Sequence, residues 1–301
     1  MIHAIETYLT MRRAVGFELS NADYLLRSFA SFAGERGEIR VRAATAIDWA
    51  GQAASVAQRD ERLKTVCRFV RYICIEDNHH ELPPANHFGY RKTRRVPHIY
   101  SGVEIRGLMD TALQLKPADS MKPHAYATLI GLLAATGLRI SEALALQLTD
   151  VRSDGLLIRK TKFQKTRLVP LHPSAVLALD RYLMLRRQKR PNSNMVFIAD
   201  DGSALRYRDA YRTFQKLLKT ANLLPSNGRR LRLHEVRHTF AVRTLEASPT
   251  GRQRIGHHML ALATYMGHVN IYSTYWYLEI TPELLRDIAA AGEAFYCGGQ
   301  R

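Results

Sequence analysis

Apolar residues recur with helical spacing along almost all of the chain, and that spacing changes once, between Val151 and His172. A helix-period pattern does not settle into a sheet, so this single interruption confines any β-structure to one small region of a mainly α protein. Before it, "IETYLTMRRAVGF", "SNADYLLRSFASFAGERG", "TAIDWAGQAA" and "SVAQRDERLKTVCRFVRYICIED" read as helices ending near Glu76. Ser20 or Asn21 can cap the second and Thr45 the third, while Gly34 and Gly37 end the second. The stripes Tyr24, Leu25, Phe29, Phe32 and Leu63, Val66, Cys67, Val70, Ile73 are expected to pack into a helical bundle. Arg59, Arg62, Lys64, Arg68 and Arg71 decorate its last helix.

The texture then shifts. "NHHELPPANHFGYRKTRRVPHIYSGVE" holds Pro83, Pro84, Pro97 and the basic run Arg91, Lys92, Arg94, Arg95, which marks a linker. The expected division is a helical domain over residues 1–85, a basic linker over 86–104 and a second domain over 105–301. In the second domain helices resume at "SGVEIRGLMDTALQL" and "PHAYATLIGLLAATGLRISEALALQL", broken at Gly137. "GLLIRKT" and "TRLVPLH" then flank a polar "KFQK" as a short antiparallel hairpin, and "MVFIA" can add an edge strand. "PSAVLALDRYLMLRRQ", "YRDAYRTFQKLLKTANL" and "LHEVRHTFAVRTLEA" read as helices, "ASPTGRQRIGHH" as a polar loop, and "TPELLRDIAAAGEAF" as a last helix opening on Thr281 and Pro282. Its stripe of Leu284, Ile288, Ala291 and Phe295 needs a partner surface.

Lys and Arg number 44 against 27 Asp and Glu, a net charge of +17. Such a field favours polyanions, nucleic acid first; a basic membrane-surface protein is the competing reading of charge alone. The three cysteines form no even set and no C-x-x-C pair, so neither a disulfide framework nor a zinc ribbon is indicated; Cys67 and Cys74 read as small buried apolar residues. His79 and His80 lack partners in register for a metal site. No apolar run approaches the length of a membrane span, and "MIHAIETYLTMRRAVGF" has no signal-like core, so the expectation is a soluble cytoplasmic protein.

Four stretches of the second domain carry candidate chemistry: "ATGLRISEALAL" with Arg139, "TKFQKTRLVPL" with Lys162, "LHEVRH" with His234 and Arg237, and "MGHVNIYSTYWYL" with His268 and Tyr277. Singly each is weak, because arginine and lysine are common in this chain and aromatic clusters usually fill cores. Their order and spacing together closely resemble the tyrosine recombinases, or phage integrases: an arginine in a "TGLR-x-SE" turn, a lysine in a β-hairpin, an H-x-x-R pair, a "GH", and a tyrosine nine residues after that histidine. The resemblance covers roughly residues 105 to 285, and the first domain fits the helical core-binding domain that usually precedes it. "STYWYL" followed by "TPELL" is most similar to integrases and transposases of mobile elements. Gly256-His257 is another "GH", yet position 266 is Met, so only His268 has the tyrosine at the right offset.

The resemblance implies a recombinase that cuts and rejoins DNA through a 3′-phosphotyrosyl bond, with no metal, organic cofactor or ATP. Tyr277 is then the nucleophile, Arg139 and Arg237 clamp the phosphate, His234 is the proton partner of the tyrosine, His268 hydrogen-bonds the phosphate and Lys162 protonates the leaving oxygen; Lys165 is the rival lysine. Glu142 either orients the site or pairs a nearby basic side chain, and His238 reads as structural. The tyrosines Tyr265, Tyr272 and Tyr275 and Trp276 read as core aromatics. Arg59, Arg62, Arg68, Arg91, Lys92, Arg94, Arg95, Lys165 and Arg167 are candidates for DNA contact. The implied partners are double-stranded DNA, further copies of the chain (a dimer on each site, a tetramer in the synapse) with the C-terminal segment docking on a neighbour, and accessory recombinases. A relaxing topoisomerase, or a DNA-binding protein that keeps the fold without cutting, is the alternative.

Overall fold

A computed structural model of the chain describes residues 1–91, 95–159, 166–189, 192–224, 230–247 and 252–267, together with Thr274 and Tyr277; for 252–255 the backbone alone is described. It is mainly helical with one small antiparallel sheet, and the chain divides into two compact units, Met1–Arg95 and Val96–Arg301.

The first unit is four helices: α1 (Ile2–Ala14), α2 (Ser20–Gly34), α3 (Ala43–Gly51) and α4 (Val56–Ile73). Ile5, Leu9, Leu26, Phe29, Trp49, Leu63, Val66, Phe69 and Val70 close its core, and Phe29 meets Trp49 edge-on at 5.5 Å. Seven of the nine expected stripe residues are buried and Phe32 is half-buried, but Tyr24 lies on the solvent face, 67% exposed. The capping of α2 and α3 also differs from expectation. Leu19, in the left-handed region at φ 51°, precedes α2 without a side-chain cap bond, and Ser20 is already helical. Thr45 lies inside α3 and is buried, donating its hydroxyl to Glu38 Oε1 at 2.8 Å, so its oxygen serves a tertiary bond rather than a cap. Cys67 is buried with its thiol on the Pro83 carbonyl, and Cys74 is half-buried. His80 Nδ1 accepts from the Val41 amide at 3.0 Å.

The second unit opens on Tyr100, buried, whose amide donates to Thr239 Oγ1 at 2.9 Å. Ser101 and Glu104 then form a reciprocal capping box at the start of α5 (Gly102–Leu113). Helix α6 (Lys122–Thr136) is buried on nearly every side and packs against α5, α8 (Pro173–Gln188) and α10 (Leu233–Glu246), which makes it the axis of the unit. Helix α7 (Ile140–Leu144) follows directly. The sheet runs β1 (Val151–Arg152), β2 (Gly155–Ile158), β3 (Arg167–Val169), each antiparallel to the next, with Leu156 opposite Val169 and Ile158 opposite Arg167. This is the one interruption of the helical period. Helices α9 (Tyr207–Thr220) and α11 (Arg252–Met266) complete the described elements.

Two expectations are corrected here. "MVFIA" is buried but forms no strand; it makes isolated bridges, Gln147 with Met195 and Ile198 with Ala204. The reason is local: Tyr182 and Arg186 donate to the carbonyls of Val196 and Met195, which a strand partner would otherwise use. The polar stretch read as a loop up to His258 is helical from Arg252 onward. The segment 281–301, read as a final helix, lies outside the described residues. Among the described residues no helix is long and apolar enough to cross a membrane.

Candidate active site

The site grows from two glycine turns. Gly137 ends α6 in the left-handed conformation, φ +60°, where a side chain is strained, and a Cβ there would stand 2.3 Å from the Phe240 ring. Gly267 follows α11 at φ +65°, where a Cβ would meet the Arg167 guanidinium at 2.6 Å. Both turns therefore demand glycine, and both expose carbonyls that hold arginines. Arg237 donates through Nη1 to Gly137 O at 2.6 Å and through Nη2 to Met266 O at 2.7 Å. Arg139 donates through Nη2 to the next carbonyl, Gly267 O, at 3.2 Å. The "TGLR" and "MGH" motifs thus meet through the two arginines.

Glu142 is the counter-charge. Its carboxylate accepts from Arg139 Nη1 at 2.6 Å, from the Arg139 amide at 2.9 Å, and from both terminal nitrogens of Arg167 at 3.1 and 2.9 Å. Burial opposes its ionisation, but the bonds from Arg167 and the Arg139 amide prevail and bring its pKa down to about 2. It pairs the basic side chains of Arg139 and Arg167. Arg167, one of the DNA-contact candidates, is 12% exposed, and its Nε is also spent, on Tyr265 O at 2.8 Å. Arg139 and Arg167 share the one carboxylate and Arg237 lies near them, leaving two positive charges in excess among these four side chains. Such a cluster invites an anion with several oxygens. Arg139, with two of its five N–H donors bonded to described residues and its side chain 30% exposed, is anchored yet reachable.

Helix α10 supplies the rest. Glu235 accepts from the Arg232 amide at 3.0 Å to start the helix, and His234, Arg237 and His238 then fall along one face at spacings of three and four. His234 stands at the mouth of the site, its ring reachable by solvent but crowded by protein. That loss of hydration, with Arg237, Arg232 and Arg139 nearby, holds its pKa down to about 4, so it is neutral around pH 7. Burial and the neighbouring Arg139 likewise lower Arg237 to about 10, which still leaves it a cation.

Tyr277 is helical and 2% exposed, packed among Ala241, Val242, Leu245, Met259, Leu262 and Met266. Its hydroxyl lies 3.1 Å from His238 Nδ1, and Arg237 is near enough to favour its ionised form. Burial raises its pKa; Arg237 and Arg139 pull the other way without overcoming it. Tyr265 behaves as the core aromatic expected, stacked on Phe240 at 5.6 Å with its hydroxyl on Pro170 O. Arg139, Glu142, Arg237, His234 and Tyr277 are thus brought together, and Lys162, Lys165 and His268 lie outside the described residues. So do Tyr272, Tyr275 and Trp276. His238, which reads as structural in the sequence, lies one turn beyond His234 and stands within hydrogen-bond distance of the Tyr277 hydroxyl.

The remaining DNA-contact candidates divide by what they touch. Arg59 donates to Ala53 O, and Arg62 donates to Trp49 O and covers the Trp49 ring, so both are partly committed to their own unit. Arg68, Arg91 and Arg95 are exposed, while Lys92 and Arg94 lie outside the described residues. Among the described residues no group of three or more His, Cys, Asp and Glu side chains could hold a metal ion.

The profile of the phage integrase family matches residues 101–283. A Sinorhizobium fredii protein named as the integrase/recombinase y4rB is 36% identical over 296 residues, 94% of each chain. A tyrosine recombinase XerD of Halalkalibacterium halodurans is 28% identical over 216 residues, 70% of this chain and 64% of that one. In three dimensions the chain is similar to the XerH site-specific recombinase, solved bound to a palindromic difH substrate, with TM-score 0.68 and 18% identity over 96% of this chain and 84% of the other. The Tn1549 transposon integrase, solved with transposon right end DNA, gives TM-score 0.63 and 18% identity over 91% and 93%. With its second unit matched by the family profile and a relative sharing more than a third of its residues along nearly the whole length, the chain belongs to the phage integrase family and is a tyrosine site-specific recombinase.

Proposed function

We propose that the protein cleaves and rejoins double-stranded DNA at a specific site through a 3′-phosphotyrosyl intermediate, using neither metal nor ATP. The observation that carries this reading is the convergence on one place of Arg139, Arg237 and the Tyr277 hydroxyl, with positive charge in excess. A phosphodiester would supply the missing anion. Arg139 and Arg237 would hold its non-bridging oxygens and offset the charge that grows in the five-coordinate transition state. Tyr277 would attack phosphorus, and the 5′-oxygen would leave with a proton from Lys162. His268 would add a hydrogen bond to the phosphate. The arginines thereby take the part that metal ions play in other phosphoryl-transfer sites. Because the phosphotyrosyl bond conserves the energy of the bond broken, a second strand's 5′-hydroxyl can reverse the step without ATP.

A phenol with a pKa of about 10 is ionised in roughly one molecule per thousand at pH 7, and burial makes Tyr277 a weaker acid still. Deprotonation must therefore accompany attack. Action by dimers on each site and a tetramer in the synapse, with help from accessory recombinases, completes the proposal, as does a cytoplasmic location.

The test uses duplexes selected from a random library by binding to the full-length protein, each nicked near the bound centre so that cleavage cannot reverse. Wild type is expected to form a covalent adduct visible on a denaturing gel, and Tyr277→Phe to keep its affinity within about twofold while forming none. Binding without any adduct in wild type would leave a DNA-binding protein that does not cut.

A further inference from the structure

We infer that His238, rather than His234, positions the Tyr277 hydroxyl and accepts its proton during attack, an inference that rests on the recombinase reading above. His238 Nδ1 lies 3.1 Å from Tyr277 Oη, with the rings 5.5 Å apart and tilted by 57°. The hydroxyl is enclosed: Tyr277 is 2% exposed, its ring set among apolar side chains of α10 and α11. A proton leaving it needs a receiver at hand. Arg237, which also acts on this hydroxyl, is a guanidinium and has no lone pair to offer, whereas an imidazole nitrogen has one.

The step balances. With the His238 ring protonated on Nε2, the Tyr277 O–H proton passes to Nδ1 as the oxygen lone pair forms the O–P bond; the P–O5′ bond breaks, its electron pair stays on O5′, and that oxygen takes a proton from Lys162. In the reverse step His238 returns its proton to the departing phenol. His234 is differently placed. Its ring meets that of His238 edge-on at 4.7 Å, and Arg237, Arg232 and Arg139 surround it, an environment that resists a further positive charge. It suits a neutral hydrogen-bond partner of the phosphate better than a proton receiver.

Two measurements on the full-length protein test this, and the first needs no DNA. The Nδ1 nitrogen-15 signal of His238, assigned by its disappearance in His238→Asn, is expected to move clearly on Tyr277→Phe; a signal that stays put overturns the contact whatever the protein does to DNA. In the second, on a nicked duplex that wild type converts to adduct, His238→Asn can still accept the phenol's hydrogen bond but cannot hold its proton. Adduct formation should slow by about 100-fold, with melting temperature and DNA affinity near wild type. Replacing the bridging 5′-oxygen by sulfur, which leaves without a proton, should rescue Lys162→Ala but not His238→Asn. A His238→Asn rate within about threefold of wild type, beside a His234→Ala rate down by about 100-fold, overturns the inference. Absence of adduct from wild type defeats the recombinase reading instead, and the nitrogen signal still decides the contact.

Discussion

Glu142 shows how much of the site depends on one carboxylate. Its side chain is 8% exposed and faces Arg167, 12% exposed, and Arg139. Removing one partner of a buried pair leaves the other charged in a dry place, at a cost of about 3–5 kcal/mol. Glu142→Gln is therefore expected to destabilise the protein by about 3 kcal/mol in urea unfolding at pH 7, and to slow adduct formation because Arg139 loses the group that aims it. The folded pKa lies below the value of an unfolded glutamate, so the charged form is the one stabilised by folding. That contribution is complete above about pH 4.5 and is lost as pH falls toward about 2. Wild type should consequently lose more stability than the Gln variant between pH 5 and pH 2. Parallel pH profiles for the two would mean that the carboxylate is not held by charge.

At the scale of elements, the glycine turns explain why "TGLR" and "MGH" read as they do. Gly137→Ala would combine a left-handed alanine, costing about 1–3 kcal/mol, with a Cβ 2.3 Å from the Phe240 ring. The carbonyl that holds Arg237 would shift as Phe240 is displaced from Tyr265. A drop of several degrees in melting temperature is expected, together with a slower adduct rate that extra DNA does not restore; a normal rate at lower stability would separate the turn from the chemistry. The helices and the hairpin were legible in sequence because each is a local pattern: a stripe at helical spacing, a β-prone pair around "KFQK"; a lone arginine is not such a pattern, and Arg139 and Arg237 stood out only through the ordered resemblance. What was not legible depends on distant partners. The pairing of Arg167 with Glu142 was hidden because the two lie apart in the chain. His238 read as structural because Tyr277 comes 39 residues later. "MVFIA" has a strand's composition, yet its first two carbonyls are taken by α8.

For the whole molecule the governing quantity is the charge of +17. A protein that neutralises about 6–10 phosphates on duplex DNA loses about 10³–10⁵ in affinity between 50 and 200 mM salt, because each contact releases condensed counterions. Binding of the selected duplex should follow such a slope. Arg91 and Arg95 are exposed, with no ion pair to another described residue, and so are the cations most readily given to a phosphate backbone. Replacing both with glutamine is expected to reduce the slope of log affinity against log salt by about 1–2, at about 0.9 per contact, and to weaken selected and unrelated duplexes equally. A change in which sequences are preferred would instead put these side chains at base edges. An unchanged slope would take them off the DNA altogether and shift the electrostatic contact to other exposed cations such as Arg68. Anionic vesicles at the same salt provide the contrast that charge alone requires: a merely basic surface would bind both, whereas a groove shaped to the duplex should keep its DNA and ignore the vesicles.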